Sequence, residues 1–432
     1  MISSQETSSS TQPSADLAER FLAAVILGAV GDAIGYRNGS WEFNTDGESI
    51  HYELKKYYGS LAGIDVKGWR VSDDTVMHLA SLRALNTFMK HQQQQQLTLH
   101  NPKLIYSFDE KDPNSCQEFM KQFVDPLMQE MSKEYIICWD DMGGRAPGPT
   151  CGKGVRFLES KGVDKWQLYP YDSRGGGCGG SMRAMMIGAL YGPQRRDMLI
   201  AASVESGRLT HNHPNGFLGA LVSALFTAYA LEKTIPPAQW GVMFLYDIMP
   251  RTKIYLEKVA MRDWQVMESE ITKFEQKFAQ YLKERSLYLD EQVVKLALSA
   301  QHKSPETLSN EEKHALQQVT YLQPQFPKEY GIQERDDFYR KWSFSGWAGA
   351  SGDDSCIIAY DSILFAGPNN YEVMMLHSAL HAGDSDSTGT IAAAWYGAMY
   401  GFNNVFKKNW ENIEKKQEMT DLAASLYELY KL

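Results

Sequence analysis

The 432-residue chain is poor in cysteine, and its five (Cys116, Cys138, Cys151, Cys178 and Cys356) are scattered without a CxxC pair. An odd, dispersed set makes neither a disulfide framework nor a zinc motif, so a reducing, cytoplasmic compartment is expected. No long run of Lys and Arg occurs, and the net charge is -10. That balance excludes a general affinity for nucleic acid, because phosphate binding needs clustered cations. Nowhere do about 18 uncharged apolar residues follow one another, so no membrane span is expected. The opening stretch "MISSQETSSSTQPSADLAER" lacks both a basic and an apolar region, and reads as a disordered Ser-rich tail over residues 1–15 rather than a secretory signal. Strand-like alternation is scarce, which leaves helices to build the fold.

Helices are well supplied. Asp16 is a plausible N-cap before "LAERFLAAVILGAVGDAIG", and apolar residues recur at helical spacing there and over 75–85, 181–191, 217–231 and 390–400. These segments are rich in Ala and Gly, whose small side chains let helix backbones approach closely, so they are expected at the centre of a packed body. The fold class expected is all-α, a single compact helical domain over residues 16–432, since no repeat or composition break divides the chain. Two polar insertions are expected to interrupt it. One lies near 88–102 around the low-complexity "HQQQQQL", read as a surface extension. The other covers 268–324, whose charge-rich pattern suits solvent-facing helices.

Chemistry concentrates at helix mouths. "VSDDTV" places Ser72, Asp73 and Asp74 before one apolar helix, and "GDSDSTG" places Asp384, Asp386 and Ser387 before another. Short polar side chains are ordinary N-caps, and negative charge suits a helix N-terminus. The same inventory is all oxygen, which is what hard dications such as Mg²⁺ and Mn²⁺ select. With Glu42 between Trp41 and Phe43, five carboxylates suffice for two ions sharing a bridging acid, best supplied by Asp386. Spacing alone leaves capped helices with solvated acids as an equal alternative. "RGGGCGGSMRAM" can present backbone N–H groups to phosphate oxygens, although it is not a Walker A loop. Its bland reading is a tight turn, with Cys178 a small filler. "SGWAGASGDD" is a further Gly-dense loop in which Trp347 could stack on a planar base. His211 and His213 read as structural or substrate-orienting, and Asp140 and Asp141 as exposed loop acids.

In order along the chain, "GDAIGY…WEF", "SDDTVMHLA", "GGRAPG", "GGGCGGSMRAM", "SGRLTHNHPNGFLGALVSALFTAYA", "SGWAGASG", "IAYDSIL" and "GDSDSTG" resemble the ADP-ribosylglycohydrolase family, and within it the ADP-ribosylarginine hydrolase branch. The resemblance implies an all-α fold with a two-magnesium cleft, Mn²⁺ being the other candidate ion. Carried onto this chain, Ser72, Asp73, Asp74 and Asp386 would hold one ion, and Asp384, Asp386 and Ser387 the other. Glu42, Asp73 and Asp74 would be the catalytic acids, with Glu42 or Asp74 accepting a proton from water. Gly176, Gly177, Cys178 and Gly179, with Gly346, Trp347, Ser351 and Gly352, would match the ADP-ribose cradle. The chain departs from the branch at Asp353, where a histidine is usual, and after Pro147.

The function implied is removal of ADP-ribose from arginine on mono-ADP-ribosylated proteins, with protein-bound ADP-ribose and free ADP-ribose as partners, by a chain expected to be a monomer. Hydrolysis of another linkage such as serine, a non-catalytic ADP-ribose-binding module, and a metal-dependent phosphatase built from similar acids are the alternatives.

Overall fold

The computed structural model describes residues 15–99, 106–301 and 303–431, with the backbone alone for 95–99. Among these residues there is no strand, only helices and two isolated bridges. Most of the expected tail, residues 1–14, lies outside the described residues.

The first long helix, Leu17–Tyr36, starts where its chemistry asks: the Asp16 side chain accepts from the Glu19 N–H at 2.7 Å. It packs against the Ser385–Tyr400 helix near the other end of the chain. Glycine permits the contact. A Cβ on Gly31 would lie 2.1 Å from the Gly389 carbonyl oxygen, and one on Gly35 would lie 2.5 Å from the Asp386 nitrogen. Only backbones without side chains between them come this close, and the contact brings distant parts of the sequence into one place.

The Asp73–Leu99 helix contains the expected 75–85 segment. Pro214–Glu232 contains 217–231, and it is the one described helix long and apolar enough to cross a membrane; 94% of that window is buried inside the protein. Phe226 there packs on the rings of Trp240, Tyr360 and Trp395. One apolar core runs from Phe21 to Leu429, and a small second cluster of Tyr339, Ala348 and Ile358 sits apart from it.

Three expectations need correction. The helix expected from Ser181 begins at Met185, because Ser181 folds back, its hydroxyl donating to the Cys178 carbonyl at 2.7 Å. The glutamine run, expected as a surface extension, is exposed at His91 and Gln94 but continues the helix through Leu99, and its Gln92 is buried and accepts from the Tyr106 hydroxyl at 2.8 Å. The 268–324 segment is solvent-facing on one side only. Helix Trp264–Glu284 buries Met267, Ile271, Phe274, Phe278 and Tyr281, and its Lys277 reaches Asp353 at 2.7 Å. An amphipathic helix reads as polar from its charge count and still contributes a whole face to the core.

Candidate active site

The two acidic helix mouths face each other. At the Asp73–Leu99 helix the capping work falls on other residues: the Ser72 hydroxyl accepts from the Asp74 N–H at 3.1 Å. Asp32, from the first helix, accepts from the Ser72 N–H at 2.9 Å and the Thr75 N–H at 3.1 Å, and from the Thr75 hydroxyl. The Asp73 and Asp74 side chains, 6% and 3% exposed, are thereby released from capping. Asp74 Oδ2 is buried without a hydrogen-bond partner, a costly state for a carboxylate oxygen unless something else satisfies it.

At the other mouth, Asp384 is the N-cap residue of Ser385–Tyr400, yet its side chain makes no capping bond. Asp386 accepts from the Ser387 N–H at 2.9 Å. Oxygen atoms of Glu42, Asp384 and Asp386 all lie within 4.8 Å of one another. Burial, and then Asp386 and Asp73, push the Glu42 carboxyl up to about 10. Burial and Asp386 likewise hold Asp73, Asp74 and Asp384 well above the carboxylate range, and push Asp32 to about 7. Asp386 recurs as the neighbour acting on each, so it is the electrostatic centre of the group. So many buried like charges need either protons or cations. An all-oxygen donor set with a partnerless oxygen fits hard dications.

A cleft of about 270 Å³ opens over these acids. Its walls are the Ala146–Cys151 segment, the loop Gly177–Gly179, and Glu42 with Phe43. The first wall leads into helix Pro149–Lys161, whose N-cap Gly148 offers no side-chain cap; Pro149 has no N–H, so Thr150 and Cys151 carry the leading N–H groups that have no intrahelical acceptor. Arg145 fixes that wall, donating to the Val71 carbonyl at 2.7 Å and to Glu414 at 2.8 and 2.9 Å. Asp141, expected as an exposed loop acid, keeps its side chain 46% exposed and also pairs with Arg145 and Lys415.

The eight expected cradle residues divide. Gly177, Cys178 and Gly179 line the cleft. Cys178 is more than a filler: its Sγ lies 3.2 Å from Asp384 Oδ2. Gly176, Ser351 and Gly352 stand behind the loop and hold it, through the Gly177–Ser351 bridge and the Gly352 N–H donating to the Gly176 carbonyl at 3.0 Å. Gly346 and Trp347 are not among the lining residues; Trp347 is exposed and touches the ring of Phe43.

Sequence reasoning passed over Asp32, and left His211 undecided. A lone carboxylate within "AVGDAIG" was the available signal for Asp32. His211 lines the cleft, and burial with nearby Arg183 lowers its pKa to about 3, so it stays neutral; Thr210 holds its Nδ1 at 2.7 Å. His213 is structural, its Nδ1 accepting the Asn215 N–H at 3.1 Å as a helix cap.

Comparison with known proteins follows the same direction. The chain is 38% identical over 419 residues to the ADP-ribosylhydrolase ARH1 of Dictyostelium discoideum, covering 94% of this chain and 93% of that one. A solved structure titled ADP-ribosylglycohydrolase-related protein complex shares the fold with a TM-score of 0.50 at 16% identity, covering 96% of this chain and 99% of that one. Residues 13–432 match the ADP-ribosylglycohydrolase family as a whole. With the acid-lined cleft and the all-helical fold already described, the match over nearly the full length shows that this chain belongs to the ADP-ribosylglycohydrolase family.

Proposed function

We propose that the chain hydrolyses the N-glycosidic bond joining ADP-ribose to arginine on proteins, with two Mg²⁺ or Mn²⁺ ions in the cleft. The observation that carries the reading is that two acidic helix mouths open on one cleft, the Asp73–Leu99 mouth capped by Ser72 and Asp32 in place of Asp73 and Asp74, and the Ser385–Tyr400 mouth receiving no capping bond from the Asp384 side chain. The arginine linkage is supported by the ordered motifs shared with the arginine-directed branch. Ser72, Asp73, Asp74 and Asp386 would hold one ion, and Asp384, Asp386 and Ser387 the other. Bound there, the ions would supply positive charge that orients the ribose hydroxyls and polarises water.

The protein groups do the rest. The Cys178 N–H is already donated to the Ala350 carbonyl at 3.0 Å, so the diphosphate would meet the N–H groups of the flanking Gly177 and Gly179 and those of Thr150 and Cys151 at the start of Pro149–Lys161. His211, neutral and fixed by Thr210, contributes an uncharged wall. In the reaction the bond from the anomeric carbon to the guanidinium nitrogen breaks, and its electron pair stays on nitrogen, so a neutral guanidine leaves. With cation charge offsetting the neighbouring acids, Glu42 would be ionised; water adds its oxygen to the oxocarbenium-like carbon and gives a proton to the Glu42 carboxylate. That proton then recharges the guanidine. Glu42 suits the task because it alone among the clustered acids is partly exposed, while Asp73, Asp74, Asp384 and Asp386 are buried.

Turnover of ADP-ribosyl-arginine and ADP-ribosyl-serine peptides, each with Mg²⁺ and with chelator, tests the reading. Release of ADP-ribose from the arginine peptide alone, abolished by chelator, is the expected result. Preference for the serine peptide overturns the linkage, and full activity in chelator overturns the ions.

A pH dependence follows. The acids have folded-state pKa values raised above the unfolded ones, so their stabilising contribution is complete below the ordinary carboxylate range. It is lost as pH rises through the raised values, about 7 for Asp32 and about 10 for Glu42. In chelator, thermal stability should fall from about pH 7 to about pH 9, a window above the unfolded-state histidine titration. The gain from added Mg²⁺ should grow over the same window, because the ion displaces protons. A Mg²⁺ increment independent of pH contradicts the assignment.

A further inference from the structure

The mouth of the cleft carries two large aromatic side chains that the fold leaves uncovered. Phe43 is 42% and Trp347 43% exposed, and their rings meet edge to face with centroids 5.3 Å apart. Trp41, two residues before Phe43, is fully buried and donates to Glu53 at 3.0 Å. The exposure of Phe43 is built in. Its backbone is held at φ 55, a left-handed conformation that bulky residues rarely adopt. Its N–H donates to the Gly383 carbonyl at 2.7 Å, and the Gly383 N–H donates to the Asn44 carbonyl at 3.0 Å. On the other side the Asp384 N–H donates to the carbonyl of Ala348, next to Trp347, at 2.8 Å. The single stretch Gly383–Asp384 thus ties both aromatic residues to the acid cluster. Strained backbone and exposed ring area each cost stability, and among the described residues the two rings stay 42% and 43% exposed.

We propose that Phe43 and Trp347 seat the guanidinium of the modified arginine, on the leaving-group side of the scissile bond; this rests on the arginine reading above. Phe43 follows Glu42 directly, and Trp347 is one residue from the carbonyl that holds Asp384. The rings therefore stand beside the acids over which the anomeric carbon would lie, and both are open to solvent. The walls formed by Ala146–Cys151 and Gly177–Gly179 are those assigned above to the diphosphate. A guanidinium is planar, weakly hydrated and cationic, so it stacks on aromatic faces, and its charge is complementary to the neighbouring Glu42 and Asp384. A serine linkage offers no such plane. The edge-to-face arrangement leaves ring face free for stacking while each aromatic braces the other. The pair would therefore select the linkage, and the interior of the cleft would select the nucleotide.

Steady-state kinetics on an ADP-ribosyl-arginine peptide, paired with calorimetric binding of free ADP-ribose, test this. Trp347→Leu and Phe43→Leu keep apolar volume and remove the ring face, and Trp347→Tyr keeps a ring. Each leucine variant is expected to raise KM by about 3- to 30-fold, the range of a cation–π contact. Affinity for ADP-ribose should stay within about two-fold, and Trp347→Tyr should recover most of the loss. ADP-ribose affinity falling in step with KM gives the rings to the nucleotide and overturns the proposal. Unchanged KM in both leucine variants overturns it as well. The two readings fail separately: a parent chain inactive on the arginine peptide removes the linkage assignment and this one with it, whereas an active parent with unaffected variants removes only this one.

Discussion

Asp386→Asn is expected to yield a folded protein that turns over about 10³-fold more slowly, and that in chelator is more stable than the parent. The two effects share one cause. Asp386 is the neighbour whose charge acts on Asp32, Glu42, Asp73, Asp74 and Asp384. Removing its charge relieves repulsion among buried carboxylates, so the ion-free fold gains. The proposed ions lose the one ligand common to both, and the transition state loses several kcal/mol of charge stabilisation, equivalent to about 10³ in rate. Asparagine keeps the shape and a carbonyl oxygen for the Ser387 N–H. Paired measurements of kcat and of melting temperature with and without Mg²⁺ check it. The variant should also lose the Mg²⁺-dependent rise in melting temperature. A variant that keeps both turnover and that rise would show that Asp386 is no more than a helix-mouth acid.

Asp361→Ala should produce the largest stability loss outside the cleft, about 3–5 kcal/mol, because it leaves a buried cation unpaired. Arg285 and Asp361 are 3% and 0% exposed at their side chains, joined at 2.6 and 3.2 Å. The same carboxylate accepts from the Tyr281 hydroxyl at 2.9 Å and the Tyr330 hydroxyl at 2.7 Å. Around the guanidinium stand the rings of Phe326, Tyr330 and Phe338, with centroids 3.8 to 4.9 Å away. This knot pins the 268–324 region to helix Gly352–Ala366, whose first turn backs the glycine loop. The double change Asp361→Leu with Arg285→Met should cost less than Asp361→Ala alone, since an apolar pair suits an aromatic box and leaves no orphaned charge. Denaturant midpoints of the three proteins, with m-values, measure the difference.

Much of the site was legible in the sequence because its parts are local. Ser72-Asp73-Asp74 and Asp384-Ser385-Asp386-Ser387 each sit before an apolar helical run, so residue type and position identify them without knowing what lies opposite. The glycine loop was legible for the same reason. Asp32 was not, since a single acid in an apolar helix gives no hint that it caps a second helix from the side. Trp347 and Gly346, assigned to the nucleotide cradle by the resemblance, are exposed and outside the residues that line the cleft. The glutamine run and the 268–324 region were read by composition, which counts charge and misses the face that Phe274, Phe278 and Tyr281 bury.

The sequence by itself determined that the chain is helical, that two acid-bearing helix mouths exist, and which family its motifs resemble, because caps, periodicity and motif order are short-range properties. Tertiary structure alone decided that the mouths converge, that Asp32 joins Ser72 in capping the Asp73–Leu99 helix, and that two aromatic rings stand exposed beside the cleft. The reason is steric and electrostatic together. Gly31 and Gly35 let the first helix lie against the backbone of the Ser385–Tyr400 helix, and only that contact forces acids from opposite ends of the chain into one buried volume, where each alters the charge of the others.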